Sequence, residues 1–270
     1  MSGRLVVCAT PIGNLEDVTL RLLETLRTAD VVACEDTRHT AGLLKRHGIT
    51  AKLVSYHEHN EAHRAPELVA RIAAGETVAL VTDAGMPLVS DPGHVLVGAV
   101  VAAGGRVEVL PGPSAAVTAL VASALPADTW RFVGFLPRKA GELRALLAGA
   151  RETLVAFESP HRTAASLAAL AELDPERPVA VCRELTKLHE EIARGSAAAL
   201  AARYAEAEPR GEVVLVVGAP PAAAADLGAA LDAVERLVAA GAKARPAAQV
   251  VAELTGAPAN ALYRGLLERK

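Results

Sequence analysis

The most informative segment of the chain reads Val78-Ala79-Leu80-Val81-Thr82-Asp83-Ala84-Gly85-Met86-Pro87. Its first four residues are apolar and rich in valine, which is typical of a buried strand. The next six include Thr, Asp, Gly and Pro, which favour a tight loop. Because open α/β sheets bind their ligands at the carboxyl ends of the strands, this segment predicts a strand of a largely parallel sheet with a ligand-binding loop at its end.

The same alternation of short apolar runs and longer segments with helical spacing extends along most of the chain. It predicts the α/β class, with two consecutive α/β domains and mainly parallel sheets. Strands are predicted over residues 5–9, 31–34, 52–55, 78–81, 107–109, 131–133, 154–157, 179–182 and 213–217. Helices are predicted between them over residues 19–28, 40–47, 64–74, 95–103, 115–123, 142–148, 163–173 and 197–205.

A short break at Leu125-Pro126-Ala127-Asp128 divides this pattern. We therefore expect an N-terminal α/β domain over residues 1–125 and a second one over residues 126–221. Beyond it, residues 225–270 contain only predicted helices, which together are similar to a helix-turn-helix. This extension carries basic residues that suit RNA contact, although a packing or dimer-stabilising role is the alternative; they are Lys243, Arg245, Arg264, Arg269 and Lys270.

The composition indicates a protein with a well-packed core. Its net charge is −3, so any contact with nucleic acid requires a local cluster of Lys and Arg. The cysteines Cys8, Cys34 and Cys182 stand in apolar runs and suit core positions of a reduced protein. The segment Met1-Ser2-Gly3-Arg4 shows no signal-peptide pattern. No apolar stretch predicts a membrane span, so we expect a cytoplasmic protein.

Common ligand motifs do not match the sequence. It has neither a dinucleotide-binding glycine fingerprint nor a phosphate loop of the NTPase type. His57, His59 and His63 lack a further Cys or carboxylate at metal-ligand spacing, and a polar loop before the next helix explains them equally well, so no metal is expected. Ser159 and His161 are too close in sequence to form a nucleophile and base pair by themselves.

Polar or Gly/Pro-containing motifs instead follow nearly every predicted strand. Any one of them is compatible with ordinary turn chemistry, but their repetition at one edge of two domains predicts a cleft. They are Thr10-Pro11-Ile12-Gly13-Asn14, Glu35-Asp36-Thr37-Arg38, His57-Glu58-His59-Asn60, Thr82-Asp83-Ala84-Gly85-Met86-Pro87, Pro111-Gly112-Pro113-Ser114, Phe135-Leu136-Pro137-Arg138-Lys139, Glu158-Ser159-Pro160-His161-Arg162 and Arg183-Glu184-Leu185-Thr186-Lys187.

These motifs, with Ser90-Asp91-Pro92-Gly93 and His189-Glu190-Glu191, resemble the class III S-adenosylmethionine methyltransferases of the tetrapyrrole-methylase superfamily over residues 5–217. Within it, the chain is most similar to bacterial enzymes that methylate the ribose 2′-hydroxyl of a cytidine in the decoding region of 16S rRNA. The resemblance implies S-adenosylmethionine as cofactor, 16S rRNA within the 30S subunit as partner, and a homodimer. The first loop departs from the Gly-rich sequence of the small-molecule members, because it reads Thr10-Pro11-Ile12-Gly13-Asn14.

The resemblance also implies roles for individual residues. The cofactor-binding residues would be Pro11, Gly13, Asp83, Ala84, Gly85, Met86, Gly112, Pro113 and Ser114, although Gly85 and Gly112 are also explained by simple turns. Because a ribose hydroxyl needs a base or a nearby cation to lose its proton, the catalytic candidates are Lys187, Glu184 and Glu158, with Glu35 and Asp36 across the cleft. RNA phosphates would be held by Arg38, Arg138, Lys139, Arg162 and Arg183. Surface ion pairs are the alternative explanation for these charged residues.

Two other functions remain open from the sequence. A tetrapyrrole C-methyltransferase would share the fold and the cofactor but act on a porphyrinoid. A non-catalytic RNA-binding assembly factor would bind the 30S subunit through the C-terminal helices and transfer no methyl group.

Overall fold

The computed structural model describes residues 3–220 and 227–269 and divides the chain into two compact units, Met1–Ala219 and Pro220–Lys270. The first half of the larger unit consists of β1 (Arg4–Cys8), α1 (Leu20–Thr28), β2 (Val31–Cys34), α2 (Thr37–Arg46), β3 (Leu53–Ser55), α3 (Glu61–Ala73), β4 (Thr77–Val81), α4 (His94–Ala102), β5 (Arg106–Leu110) and α5 (Ala115–Ser123). Its second half consists of β6 (Trp130–Phe135), α6 (Ala140–Gly149), β7 (Thr153–Glu158), α7 (Pro160–Leu173), β8 (Pro178–Arg183), β9 (Glu191–Ser196), α8 (Ala197–Glu206) and β10 (Val213–Val217).

The first sheet is parallel throughout and has the strand order β3-β2-β4-β1-β5. Helices cover both of its faces, which is why its central strands are apolar on both sides. In β1, Leu5 and Val7 pack in one core cluster, whereas Val6 and Cys8 pack in a different one. All carboxyl ends of this sheet therefore meet at one edge, as the sequence predicts.

The second sheet has the order β6-β7-β10-β8-β9 and is mixed. Only β6 and β7 pair in parallel among its described strands, while β10 runs antiparallel to both β7 and β8. The predicted α/β class is confirmed, but this second sheet is not mainly parallel. Since β6, β7 and β8 still run in the same direction, their carboxyl ends share one edge, where β10 begins.

Strand β9 was not expected from the sequence, because the segment Glu191-Ile192-Ala193-Arg194-Gly195-Ser196 has few apolar residues. It forms an antiparallel hairpin with β8, in which Cys182 lies opposite Ile192. At the edge of a sheet such a strand needs only one buried face, and Ala193 supplies part of it.

Helix α5 follows the first sheet in sequence but packs on the second. Its buried residues Ala116, Ala119 and Leu120 share a core cluster with Val155 of β7 and Val214 of β10. This packing ties the two halves of the larger unit together. The predicted boundary at residues 125 and 126 falls between α5 and β6, and the division into domains over 1–125 and 126–221 stays a prediction, with residue 221 outside the described residues.

The smaller unit contains α9 (Leu227–Ala239), α10 (Ala244–Thr255) and α11 (Ala259–Glu268). Its own core includes Leu231, Val234, Val251, Leu262 and Leu266. Gly256 ends α10 with a φ of 73°, which allows the tight turn into α11. Residues 225 and 226 and Lys270 of the predicted extension lie outside the described residues.

The three cysteines are free and buried, as expected. Burial raises the pKa of Cys8 to about 12. None of the helices in residues 3–220 and 227–269 has the length and apolarity that a bilayer crossing requires.

Candidate functional site

A cavity of about 310 Å³ lies at the carboxyl edge of both sheets. It is formed by the loops after β1, β4, β5 and β7, by the end of β6 and by the start of β10. Its lining residues are Ile12, Ala84, Gly85, Met86, Val89, Ser90, Asp91, Ser114, Ala115, Phe135, Phe157, Glu158, Ser159, Pro160, Gly211, Glu212, Val213 and Val214.

The loop after β4 is fixed by backbone pairing with the loop after β1. The Thr10 N–H donates to the Gly85 carbonyl at 2.9 Å, and the Gly85 N–H donates to the Thr10 carbonyl at 3.1 Å. The Thr10 hydroxyl also donates to the Thr82 carbonyl at 3.0 Å. Gly85 has a φ of 77°, a backbone conformation that residues other than glycine rarely adopt. This arrangement presents the backbone of residues 84–86 to the cavity.

The predicted cofactor-binding residues separate into two groups. Ala84, Gly85, Met86 and Ser114 line the cavity. The others are not among the lining residues. Pro11 is buried, and Gly13 packs against Thr186 and Lys187. Gly112 packs against Ala9, and the Pro113 carbonyl lies 3.9 Å from the position that a Gly85 Cβ would take. Asp83 accepts a hydrogen bond from the Asp36 N–H at 3.1 Å.

The two glycines for which a turn is the alternative explanation differ in the structure. Gly85 has the left-handed backbone that a turn explanation requires. Gly112 has no such backbone, and a Cβ there would lie only 2.8 Å from Ala9 Cβ. Gly112 is therefore needed for close packing of the loop after β5 against β1.

The cavity combines apolar walls with polar groups, as a pocket for a nucleoside-containing ligand requires. Ile12, Met86 and Phe157 supply apolar surface, and Ser90 and Ser114 supply hydroxyl groups. Directly before the loop after β4, the buried Thr82 hydroxyl has no hydrogen-bond partner among the described residues. These features fit a ligand with a flat heterocycle and a polar chain.

Lys187 lies between two carboxylates. Its Nζ donates to Glu184 Oε1 at 2.8 Å and to Glu212 Oε2 at 2.9 Å. Burial acts to lower the pKa of Lys187, but the hydrogen bonds to Glu184 and Glu212 outweigh burial and raise it. The same contact with Lys187 lowers the pKa of Glu184. Of the two roles that the sequence leaves open for Lys187, base or cation, the structure therefore favours the cation.

Glu158 has a fully buried side chain that is surrounded by donors. Its oxygens accept hydrogen bonds from Ser166 Oγ at 2.6 Å and from the Ser159 N–H at 2.8 Å, and Arg162 Nη1 lies 3.4 Å away. These contacts fix the position of the Glu158 side chain and occupy both of its oxygens. Glu158 forms part of the cavity wall, and the donors around it leave it poorly placed to accept a substrate proton.

Replacing Ser166 by Ala is expected to lower the free energy of unfolding by about 1–3 kcal/mol, because it removes a donor from a buried carboxylate. Urea denaturation followed by circular dichroism measures this loss. Thr28→Ala removes an exposed hydroxyl that donates to Glu24 O, and it should change the stability by less than about 0.5 kcal/mol. Equal effects of the two substitutions would show that Glu158 does not depend on Ser166.

The predicted RNA-contacting residues also divide. Arg38, Arg138 and Lys139 are exposed, and Arg38 pairs with Asp36 at 2.9 Å, a hydrogen-bonded contact that lowers the pKa of Asp36 to about 2. Arg162 and Arg183 are half-buried and already have partners within the protein, and RNA contact by these five residues stays a prediction. Arg162 donates to the Leu136 and Pro137 carbonyls, while Arg183 pairs with Glu191 at 3.1 Å and donates to the Arg210 carbonyl.

Sequence reasoning assigned no role to several residues of the cavity. Ser90 and Asp91 belong to a quoted motif, but nothing in their spacing distinguishes them from a turn. Burial, and after it the nearby carboxylates of Glu35, Asp83 and Glu212, together raise the pKa of Asp91 to about 7. Gly211 and Glu212 precede β10, and the Arg210-Gly211-Glu212 sequence before an apolar run was the available signal.

The described residues contain no group of three or more His, Cys, Asp or Glu side chains arranged to hold a metal ion. His57 lies instead in the loop before α3, where Asn60 Oδ1 accepts from its N–H at 2.9 Å.

Comparison with known proteins places this geometry in a family. Residues 4–201 match the model of the tetrapyrrole (corrin/porphyrin) methylases. The chain is 51% identical to the ribosomal RNA small subunit methyltransferase I of Mesorhizobium japonicum, over 98% of this chain and 92% of that protein. It is 44% identical to the protein of the same name from Escherichia coli O157:H7, over 99% of this chain and 96% of that protein.

A solved structure of similar fold is the uroporphyrin-III-C-methyltransferase of Thermus thermophilus. The two chains are 27% identical and superpose with a TM-score of 0.57, over 80% of this chain and 94% of that one.

Proposed function

Because this chain belongs to the tetrapyrrole methylase family, and within it to the ribosomal RNA small subunit methyltransferases I, we propose that it transfers a methyl group from S-adenosylmethionine to the ribose 2′-hydroxyl of a cytidine in 16S rRNA. The observation that carries this proposal is the cavity itself. It presents the backbone of residues 84–86 on one side and the polar residues Asp91, Glu158 and Glu212 on others. Donor and acceptor can therefore meet in one place.

The residues that would hold the donor are Ile12, Ala84, Gly85, Met86 and Ser114. S-adenosylmethionine supplies a methyl group on a positively charged sulfur. The apolar side chains of Ile12 and Met86 line the cavity and would exclude water around a bound donor, which strengthens electrostatic interactions there. Gly85 leaves space at the point where a side chain would meet Ile12.

Methyl transfer is an in-line displacement, so the protein must hold its two substrates in a fixed relation. The loops that would hold them are tied together across the two halves of the larger unit. Thr10 pairs with Gly85 within the first half, and the Asn14 N–H donates to Thr186 Oγ1 of the second half at 3.0 Å. The ammonium of Lys187, carried by the same loop as Thr186, favours loss of the hydroxyl proton by stabilising negative charge.

The acceptor RNA would lie on the exposed basic residues outside the cavity. Arg138 is exposed near the strand ends, and Arg38 and Lys139 are exposed there with single carboxylate partners, Asp36 and Glu142. In the smaller unit, Lys243 and Arg264 are exposed, and Arg245 stacks over the Tyr263 ring. By contrast, Arg269 pairs with Asp232 and Glu235.

Neutralising Lys243 and Arg264 together, as Lys243→Gln with Arg264→Gln, is expected to make RNA binding less dependent on salt. Each lost phosphate contact should reduce the slope of log affinity against log salt by about 0.7–0.9. Filter binding of 30S subunits over a salt series measures the slope. Arg269→Gln is the matched control, since its charge is already paired. A slope unchanged from wild type in the double variant would assign the smaller unit a packing role.

We further propose that the protein acts as a homodimer in the cytoplasm and that it modifies 16S rRNA within the 30S subunit. The exposed basic residues support the contact with the subunit, the free cysteines support the cytoplasmic assignment, and the dimer rests on the resemblance to the family. Analytical ultracentrifugation tests the dimer.

The proposed function is tested by labelled methyl transfer to 30S subunits from cells that lack the gene. We expect one labelled ribose, mapped to a cytidine in the decoding region, and no label in 30S subunits from cells that carry the gene. Label on a tetrapyrrole would support the C-methyltransferase alternative. Binding of 30S subunits without transfer would support the assembly-factor alternative.

A further inference from the structure

The segment between β4 and α4 holds Asp91 against the cavity in a strained backbone. Leu88 and Ser90 have φ values of 73° and 68°, and Gly93 has a φ of 136°. Non-glycine residues with such angles persist only where their surroundings fix them, and they cluster at functional sites. Gly93 is enclosed, because a Cβ there would lie 2.7 Å from Leu88 Cδ1. The packing around this turn therefore holds Asp91 in the wall of the cavity.

Asp91 differs from the other acidic groups of the cavity in its lack of partners. Glu158 accepts from Ser159 and Ser166, and Glu212 accepts from Lys187. Within residues 3–220 and 227–269, Asp91 makes neither a hydrogen bond nor an ion pair. Its oxygens are therefore free to accept a proton from a bound molecule.

The charged groups around Asp91 come from several elements. Glu35 follows β2, Asp83 follows β4, and Glu212 precedes β10, and each of them disfavours the charged form of Asp91. Glu212 also accepts a hydrogen bond from Lys187, and Glu158 lines the same cavity. Together with burial, these carboxylates bring the pKa of Asp91 to about 7. A general base is most effective when its pKa is close to the working pH.

We propose that Asp91 is the general base that removes the proton from the ribose 2′-hydroxyl, an inference that rests on the proposed function. The O2′–H bond breaks and its proton passes to the Asp91 carboxylate. The oxygen electron pair forms the new bond to the methyl carbon, and the carbon–sulfur bond breaks with its pair left on sulfur. The proton on Asp91 is then released to water.

The test compares Asp91→Asn with wild type in single-turnover methyl transfer to 30S subunits from cells that lack the gene. Asn has the same shape but cannot take the proton, so the rate should fall by about 100-fold or more. Asp128→Asn, an exposed position before β6 and at the opposite end of that strand from the cavity, should keep the wild-type rate. Calorimetry should show that both variants bind S-adenosylhomocysteine with wild-type affinity.

Titration gives an independent readout. Since only the carboxylate form accepts a proton, the wild-type rate should fall as the pH drops below 7 and level off above it. NMR of aspartate carboxyl carbons in the ligand-free protein should show one group that titrates near pH 7 and is absent from Asp91→Asn.

Three outcomes would overturn the proposal. The first is an unchanged rate in Asp91→Asn. The second is loss of S-adenosylhomocysteine affinity with a normal rate at saturation, which would make Asp91 a ligand for the donor. The third is a wild-type profile without an inflection near pH 7, which decides the question even if the variant does not fold. If wild type itself forms no 2′-O-methyl group on 30S subunits, the proposed function fails too, and this result is distinct from an active wild type with an equally active variant.

Discussion

Gly85→Leu is expected to abolish binding of S-adenosylmethionine and with it all methyl transfer. Gly85 lines the cavity, and its missing Cβ would lie 3.6 Å from Ile12 Cγ2 and 3.9 Å from the Pro113 carbonyl. Space therefore exists for a Cβ, but a leucine side chain would extend into the region that the donor would occupy. A φ of 77° adds strain for any residue with a side chain. We expect the affinity to fall by more than about 100-fold.

The control variant Gly48→Leu separates the effect of backbone strain from the effect of filling the cavity. Gly48 has a φ of 61°, and no atom lies within 4 Å of its missing Cβ. This substitution should cost about 1–2 kcal/mol of stability and leave binding intact. Thermal unfolding with and without S-adenosylhomocysteine measures both effects, since a ligand raises the melting temperature only of a protein that binds it. A ligand-induced rise in Gly85→Leu equal to that of wild type would remove the loop after β4 from the site.

Lys187→Met is expected to lower kcat by about 100-fold while S-adenosylhomocysteine affinity stays within about twofold of wild type. Methionine retains an unbranched apolar stem where Lys187 packs beside Gly13. It removes the ammonium that bridges Glu184 and Glu212, so Glu212 of the cavity wall loses its cation. Negative charge that develops on the ribose oxygen would be repelled instead of stabilised.

Two further variants define what Lys187 does. Lys187→Arg keeps the positive charge and should retain more activity than the methionine variant. Lys45→Met, at an exposed position in the last turn of α2, should behave as wild type. If Lys187→Met is fully active, the contact with Glu184 and Glu212 is an ion pair without a role in catalysis.

The local parts of the fold could be predicted from sequence because their signals are local. The predicted strands over 31–34 and 213–217 and the predicted helix over 115–123 coincide with β2, β10 and α5. Pairing across the second sheet could not be predicted, since the direction of β10 depends on contacts with β7 and β8 far away in sequence. For the same reason the packing of α5 on Val155 and Val214 left no trace in the sequence.

The site shows the same division. Residues 84–86 and Ser114 could be identified because each follows a strand with a strong signal. The partner of Lys187 could not, because Glu212 is brought to it by the insertion of β10. Asp91 could not be identified either, because its environment and not its motif distinguishes it: the nearby carboxylates belong to Glu35, Asp83 and Glu212.

The position of β10 also has a consequence for biosynthesis. This strand is the last of the larger unit in sequence but the central one of the second sheet, between β7 and β8. When synthesis has reached only the end of α8, the second sheet lacks its central strand. β7 and β8 then have no partner between them until β10 is made. Residues 211–214 also complete the cavity wall. The nascent chain therefore acquires its active site in one late step, and incomplete chains ending before residue 217 are expected to be captured by chaperones or degraded and to have no partial activity.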